Sequence, residues 1–268
     1  MSGFGAFPDQ NWLLQQIGWP NLIKRLQAPS ILNQMRLSPG MRVLDLGCGG
    51  GHFSLEFARQ GAMVVGVDTN FKLLHRMTNV GRNVQGPLAA CLADGRSLPF
   101  PPGCFDRVFI SELLGYVSDL DGFFSMLKPL VKAEGMLVIA NGLGHPAVAR
   151  LYRRMPSWMN RMNGRLWPAS YTDYIASLNK GFGNVQSRFW SEEEISKAVK
   201  GAGFSIREKS YQPGYIGSTF ISYMTFGAHL VGGKTYGRRY FAAYPLLAAL
   251  DRLDSNRSGT GLLMQALV

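Results

Sequence analysis

Met41-Arg-Val-Leu-Asp-Leu-Gly-Cys-Gly-Gly-Gly51 is an apolar run interrupted by one acid and closed by glycines at 47, 49, 50 and 51. Val43, Leu44 and Leu46 form the short continuous apolar stretch expected of a strand buried on both faces of a parallel sheet. The glycines then open backbone conformations closed to other residues, and His52 to Arg59 reads as a helix. Strand, glycine turn and helix in that order build a nucleotide cradle in a doubly wound α/β sheet, because backbone without side chains can approach a ligand closely.

The glycine spacing narrows the ligand. A dinucleotide fingerprint needs Gly-x-Gly-x-x-Gly, whereas the chain has Gly47-x-Gly49-x-Gly51. A Walker-type loop fits less well still, because no Gly-Lys-Ser/Thr follows. Met63 to Val67 is a second apolar strand ending in Asp68, about 20 residues beyond Gly47, the spacing at which an acid reaches a ribose. Asp68 can accept both ribose hydroxyls or cap a helix starting at Asn70; the two roles are compatible. Ala93-Asp94-Gly95-Arg96-Ser-Leu-Pro-Phe100 and Pro101-Pro-Gly-Cys-Phe-Asp106 lead into a fourth strand at Arg107 to Ile110. Taken alone, Asp-Gly and Pro-Pro-Gly are turn chemistry.

Together and in this order, these segments resemble the motifs of the class I S-adenosylmethionine (SAM) methyltransferases. The resemblance covers residues 41 to 140, 191 to 210 and the last strand. It implies a Rossmann-like, doubly wound seven-stranded sheet with an antiparallel last strand, and SAM as cofactor with S-adenosylhomocysteine (SAH) as its product. By the same resemblance Asp45, Gly47, Cys48, Gly49 and Gly51 surround the methionine and ribose end, Asp68 and Thr69 the ribose, and Asp94 and Gly95 the adenine. Cys48 reads as a small space-filler within that loop. Ser111 and Glu112 fall at the methionine end, where Glu112 orders the ligand or serves as a solvent-facing helix cap. Ser111-Glu-Leu-Leu-Gly-Tyr-Val117 is similar to the small-molecule enzymes of the quinone and sterol type, whose segment often ends in Glu-His-Val. Gly115 and Tyr116 replace that acid and histidine, which removes a histidine base from this loop.

A chain of 268 residues exceeds a bare sheet of this kind without reaching two full domains. The expected organisation is a helical cap over 1–40 and a catalytic domain over 41–268, with inserts at about 141–190 and 211–260. In the cap, Asn11 to Gln27 carries Trp12, Leu13, Ile17, Trp19, Leu22, Ile23 and Leu26 near helical spacing, broken or restarted by Pro20. A second short helix is expected from Ser30 to Arg36. Trp12 and Trp19 either pack in the core or close over the ligand. Gly135 to Ala140 reads as the fifth strand, Ser191-Glu-Glu-Glu194 as a capping box, Phe204 to Ser210 as the sixth strand and Gly261 to Val268 as the last.

Cys48, Cys91 and Cys104 are too few and too scattered for a disulfide framework or a four-thiolate metal site, so no metal is expected. With no basic stretch and apolar core resembling a signal peptide, the expected location is cytoplasmic. The first insert adds a membrane to that expectation. Between Asn141 and Trp190, Arg150, Arg153, Arg154, Arg161, Arg165, Lys180 and Arg188 face Asp173 alone, a net +6 of the chain's +11. Tyr152, Met155, Trp158, Met159, Met162, Leu166, Trp167 and Tyr171 are interleaved with them. Such a pattern suits an anionic membrane surface or acidic lipid-like substrate, a nucleic acid, or a solvated basic helix. Nucleic acid is disfavoured, because no binding module is recognisable and the apolar residues are Met, Leu and Trp. Ser210 to Gly233 carries no charge, yet Pro213 and the glycines from Gly214 to Gly233 argue for a pocket wall over a membrane span.

SAM chemistry needs an acceptor held in line, and a proton acceptor when the nucleophile is a hydroxyl or acidic carbon. His145, just past the fifth strand, is the first candidate base, with His229, Tyr116 and Tyr215 behind it. The expected function is methyl transfer to a hydrophobic small molecule or lipid-like acceptor. The alternatives are an RNA-modifying enzyme and a non-catalytic SAM-binding or partner-scaffolding module. Oligomeric state and the acceptor atom are not readable from these residues.

Overall fold

The computed structural model describes residues 22–82, 84, 86–143, 189–214, 216–217, 220, 244–254, 259 and 261–268. The chain divides into two compact units, one of Gln27–Gly142, Arg188–Ser210 and Leu262–Val268, the other of Met1–Leu26, Leu143–Ser187 and Tyr211–Gly261.

The first unit holds the sheet. Its strands are β1 (Arg42–Leu46), β2 (Met63–Asp68), β3 (Leu88–Leu92), β4 (Phe105–Ser111), β5 (Val131–Gly142), β6 (Ser205–Tyr211) and β7 (Gly261–Leu267). They lie in the order β3-β2-β1-β4-β5-β7-β6. β1 is parallel to both β2 and β4, with Leu46 beside Val67 and Ile110, and the parallel pairing continues to β3 and β5. At the far side, Val268 N donates to Gly135 O early in β5, and Gln212 N donates to Gly261 O. The end of β7 thus meets the start of β5 and its start meets the end of β6, so β7 runs antiparallel to both. This is the expected seven-stranded, doubly wound sheet. Its order reverses between β1 and β4, and a crevice outside the carboxyl ends of strands at such a reversal is where open α/β sheets bind ligands.

The helices are α1 (Leu22–Met35), α2 (His52–Arg59), α3 (Phe71–Gly81), α4 (Leu120–Leu127), α5 (Glu192–Gly201) and α6 (Tyr244–Arg252). α2 is docked by aromatic edges, with the rings of Phe53 and Phe57 centred 5.0 and 5.2 Å from that of Phe109 on β4. α3 buries Leu74 and Met77. α5 begins with the capping box expected from sequence, Ser191 Oγ accepting from Glu194 N and the Glu194 carboxylate accepting from Ser191 N. In the second unit, Asp251 on α6 accepts from Gly214 N at 2.9 Å and from Gln212 Nε2 at 3.0 Å.

Three local expectations change. Leu22 to Met35 is one helix running through Pro29, where the sequence reading ends one helix at Gln27 and starts another at Ser30. Proline removes a single backbone donor there, while Gln27, Ala28, Ile31 and Met35 on the same helix are all buried, and that burial outweighs the missing bond. β5 starts at Val131, four residues before the expected Gly135, because a register shift lets both Val131 and Met136 pair with β4, at Phe105 and Arg107. The helix begins at Phe71, one residue later than expected, and is capped by Asn70, whose side chain accepts from Lys72 N and Leu73 N, while Asp68 accepts from Asn70 N just ahead of it. Among the described residues no helix is long and apolar enough to cross a membrane.

Candidate functional site

The carboxyl ends of β1, β2 and β4 bring the glycine turn, Asp68 and the segment after Ser111 to one edge of the sheet. Gly47 N and Cys48 N both donate to Val67 O, at 2.8 and 3.0 Å, which ties the turn to β2. Gly49 N donates to Asp68 Oδ2 at 2.8 Å, and Asn70 N donates to Asp68 Oδ1 at 2.8 Å. The carboxylate is therefore fixed by two backbone donors while each oxygen keeps acceptor capacity.

The motif glycines are not equivalent. Gly47, Gly49 and Gly51 all have positive φ, of 73°, 53° and 77°. A side chain at Gly47 would lie 3.0 Å from Leu113 Cδ1, and one at Gly51 only 2.1 Å from Met77 Cγ. At Gly49 the nearest atom is Leu73 Cδ1, 3.9 Å away. Gly51 thus lets α3 pack against the turn, Gly47 admits the loop after β4, and Gly49, like Gly50, faces open space. An open Gly49 beside an immobilised carboxylate is a cradle that a side chain would fill, and it suits the ribose and adjoining chain of an adenosyl cofactor.

Asp45 lies beneath the loop, 2 % exposed, and accepts a hydrogen bond of 2.5 Å from Ser54 Oγ on α2. Burial pushes its carboxyl up from the usual 3.8 to about 7, against the pull of the Ser54 bond and with help from the Asp68 charge. Between those values the folded protein keeps a proton that the unfolded chain has released. The resulting stabilisation is complete below about pH 4 and is lost as pH rises through about 7. Asp45→Asn is accordingly expected to flatten the fall in stability between about pH 4 and 7, by at most about 1.4 kcal/mol per pH unit. Urea unfolding of both proteins across that range checks this, and parallel profiles would refute it.

Asp94 and Gly95 follow β3. Arg96 holds the exposed Asp94 carboxylate with its guanidinium, at 2.6 Å, and with its backbone N–H at 2.9 Å, which lowers the Asp94 carboxyl to about 2. A Cβ on Gly95 would make ordinary contact with Leu46, 3.5 Å away. Thr69 is exposed beside Asp68, and Ser111 ends β4 half-buried. Glu112 is no helix cap. It has φ +52° and its Oε2 accepts from Gly142 N at 3.0 Å, joining the ends of β4 and β5. Burial, then the Glu112 charge, raises the Tyr116 hydroxyl above its ordinary value, which disfavours its anion at neutral pH. Burial first, then Asp45 and Asp68, also raises the Cys48 thiol, which disfavours its thiolate. His145, His229 and Tyr215 lie outside the described residues, as do Trp12, Trp19 and the basic-aromatic stretch up to Arg188. Among the described residues no group of three or more His, Cys, Asp or Glu side chains is placed to hold a metal.

Sequence reasoning missed Ser54, Leu113, Asn141 and Trp190. Ser54 left a trace, a lone hydroxyl on the buried face of α2 between Phe53 and Leu55. The other three act through contacts distant in sequence.

The Methyltransferase domain family matches residues 44–139. A malonyl-[acyl-carrier protein] O-methyltransferase of Legionella pneumophila is 35% identical over 114 residues, covering 40% of this chain and 38% of that protein. A demethylmenaquinone methyltransferase of Streptomyces avermitilis is 37% identical over 176 residues, covering 62% of this chain and 69% of that protein. The chain spans about two fifths of the length of the first curated relatives it matches. Among solved structures, an S-adenosylmethionine-dependent methyltransferase from Mesorhizobium loti has the same fold, with a TM-score of 0.61 at 21% identity over 92% of this chain and 100% of that one.

Proposed function

Since the chain belongs to the class I SAM-dependent methyltransferase family, we propose that it transfers a methyl group to a hydrophobic small molecule, a quinone-like, sterol-like or lipid-linked acceptor. The observation that carries the reading is the Asp68 carboxylate clasped to Gly49 N beside the open face of Gly49. When bound there, SAM supplies a methyl group already activated by its sulfonium. Asp68 accepts the ribose hydroxyls, Gly49 gives the close backbone approach, and Asp94 with Gly95 borders the adenine. Ser111 and Glu112 stand toward the methionine. His145, three residues past the end of β5, takes the proton when the acceptor is a hydroxyl or an acidic carbon. The raised Tyr116 hydroxyl supports this assignment over the tyrosine.

The relatives named above act, by their names, on a carrier-bound malonyl group and on demethylmenaquinone, which supports a small-molecule acceptor over RNA. The +6 charge of residues 141–190 supports an acceptor presented at an anionic membrane surface. Methyl-labelled SAM, incubated with the protein and a cellular lipid and metabolite extract on anionic vesicles, tests the reading with RNA as a parallel arm. Label is expected in the lipid fraction, and His145→Gln is expected to abolish it without changing SAH affinity. Label in RNA would overturn the acceptor class. SAH binding with no transfer to either fraction would mark a binding module.

A further inference from the structure

Trp190 precedes the α5 capping box and is buried, but its indole N–H is spent away from that helix. Nε1 donates to Leu114 O at 2.9 Å and to Val117 O at 3.2 Å, the two carbonyls that bracket the 3-10 turn Leu114–Tyr116. The same segment is held from β5. Asn141 Oδ1 accepts from Leu114 N at 3.3 Å, and Glu112 Oε2 accepts from Gly142 N at 3.0 Å. Glu112 sits at φ +52°, a conformation that a residue with a side chain holds only when its surroundings over-determine it. Residues 112 to 117 are therefore pinned at Glu112, at both polar groups of Leu114 and at Val117.

Between two of these pins lies Leu113, whose side chain reaches within 3.0 to 3.4 Å of the position a Gly47 Cβ would take. The pinned segment thus rests on the first glycine of the cofactor turn. The sheet order gives this contact a direction. β1 lies between β2 and β4, the ribose acid Asp68 ends β2, and Asp94 and Gly95 lie beyond β3. A cofactor with its adenine toward β3 and its ribose at β2 extends its amino-acid end toward β1 and β4, against the segment that Leu113 belongs to.

We propose that Trp190 is a positioning residue for the amino-acid end of the cofactor, acting through the segment 112–117 and its contact with Gly47. The proposal rests on the cofactor reading given above. A tryptophan that only filled space could be replaced by phenylalanine without consequence for ligand selectivity. One that holds the loop through its N–H could not, because phenylalanine leaves the Leu114 and Val117 carbonyls without that donor.

The test compares two probes by calorimetry, SAH and adenosine, which share the adenine and ribose and differ in the homocysteine arm. In Trp190→Phe, SAH affinity is expected to fall at least about fivefold, the lower end of typical coupling between sites, with adenosine affinity unchanged. Asn141→Ala removes the acceptor for Leu114 N and is expected to show the same selective loss, which keeps the proposal testable should Trp190→Phe fail to fold. Equal weakening of both probes, or of neither, in the folded variants would overturn the positioning role. Wild-type protein that binds neither probe would overturn the cofactor reading, and this proposal with it.

Discussion

Gly51→Ala is expected to destabilise the folded protein by about 2–5 kcal/mol, the sum of a left-handed backbone that a side chain resists and an overpacked contact. The steric part is the larger. At φ +77° a Cβ would lie 2.1 Å from Met77 Cγ, 2.7 Å from Sδ and 2.8 Å from Cβ. Met77 cannot relieve that overlap by turning its tip, because its own Cβ is involved, so α3 must shift away from the turn. Gly49→Ala separates the two causes. It meets the same kind of backbone strain at φ +53° with nothing nearer than 3.9 Å, so it should cost only the conformational part. A double-mutant cycle between Gly51→Ala and Met77→Ala should show the pair less destabilising than the sum of the single changes, since alanine at 77 removes the Cγ and Sδ overlaps and leaves only the Cβ approach at 2.8 Å. Thermal and urea unfolding read the wild type and the four variants. A Gly51→Ala variant as stable as Gly49→Ala would refute this division of roles.

That division shows what the sequence made legible. Periodicity and apolar runs located the strands around the cradle, because strands buried on both faces leave a continuous signal: Leu44, Val108, Leu137 and Ile139 are all fully buried. The edges were less readable. β5 gains its first residues through a register shift, which depends on its partner strand and not on its own composition. Three glycines in alternate positions look alike in a motif, yet packing partners from α3 and from the loop after β4 separate their functions. Met77 and Leu113 are apolar residues without any chemical mark, so their bearing on the turn appears only once the helices are in place. The same holds for Arg107, whose guanidinium reaches back from β4 to Met35 O at 2.8 Å and anchors the end of α1. Long-range polar contacts of this kind carry no local spacing. Capping does, and Ser191 with Glu194 was readable for that reason.

Asp68→Ala is expected to weaken SAH binding about 100-fold or more while the fold persists. A carboxylate that accepts two ribose hydroxyls contributes through charged hydrogen bonds, each of about 1.5–3 kcal/mol, so losing both corresponds to at least two decades of affinity. The carboxylate also holds Gly49 N and Asn70 N, each at 2.8 Å, so alanine loosens the turn that must meet the ligand. The fold should survive because the start of α3 does not depend on it; Asn70 caps Lys72 N and Leu73 N by itself. Asp68→Asn retains one acceptor oxygen and should lose about tenfold, placing it between wild type and alanine. Gly49→Val reaches a similar loss by a different route, since its side chain projects into the open face from a backbone that a β-branched residue resists. Both variants should weaken adenosine together with SAH, because the two probes share the ribose. Adenosine still needs the ribose acceptor and should remain weak in Asp68→Ala. Gly49 stands beside the same acid, so in Gly49→Val the obstruction lies at the ribose and adenosine should weaken together with SAH. Calorimetry with both probes on folded variants decides this, and SAH affinity unchanged in Asp68→Ala would remove the acid from the site.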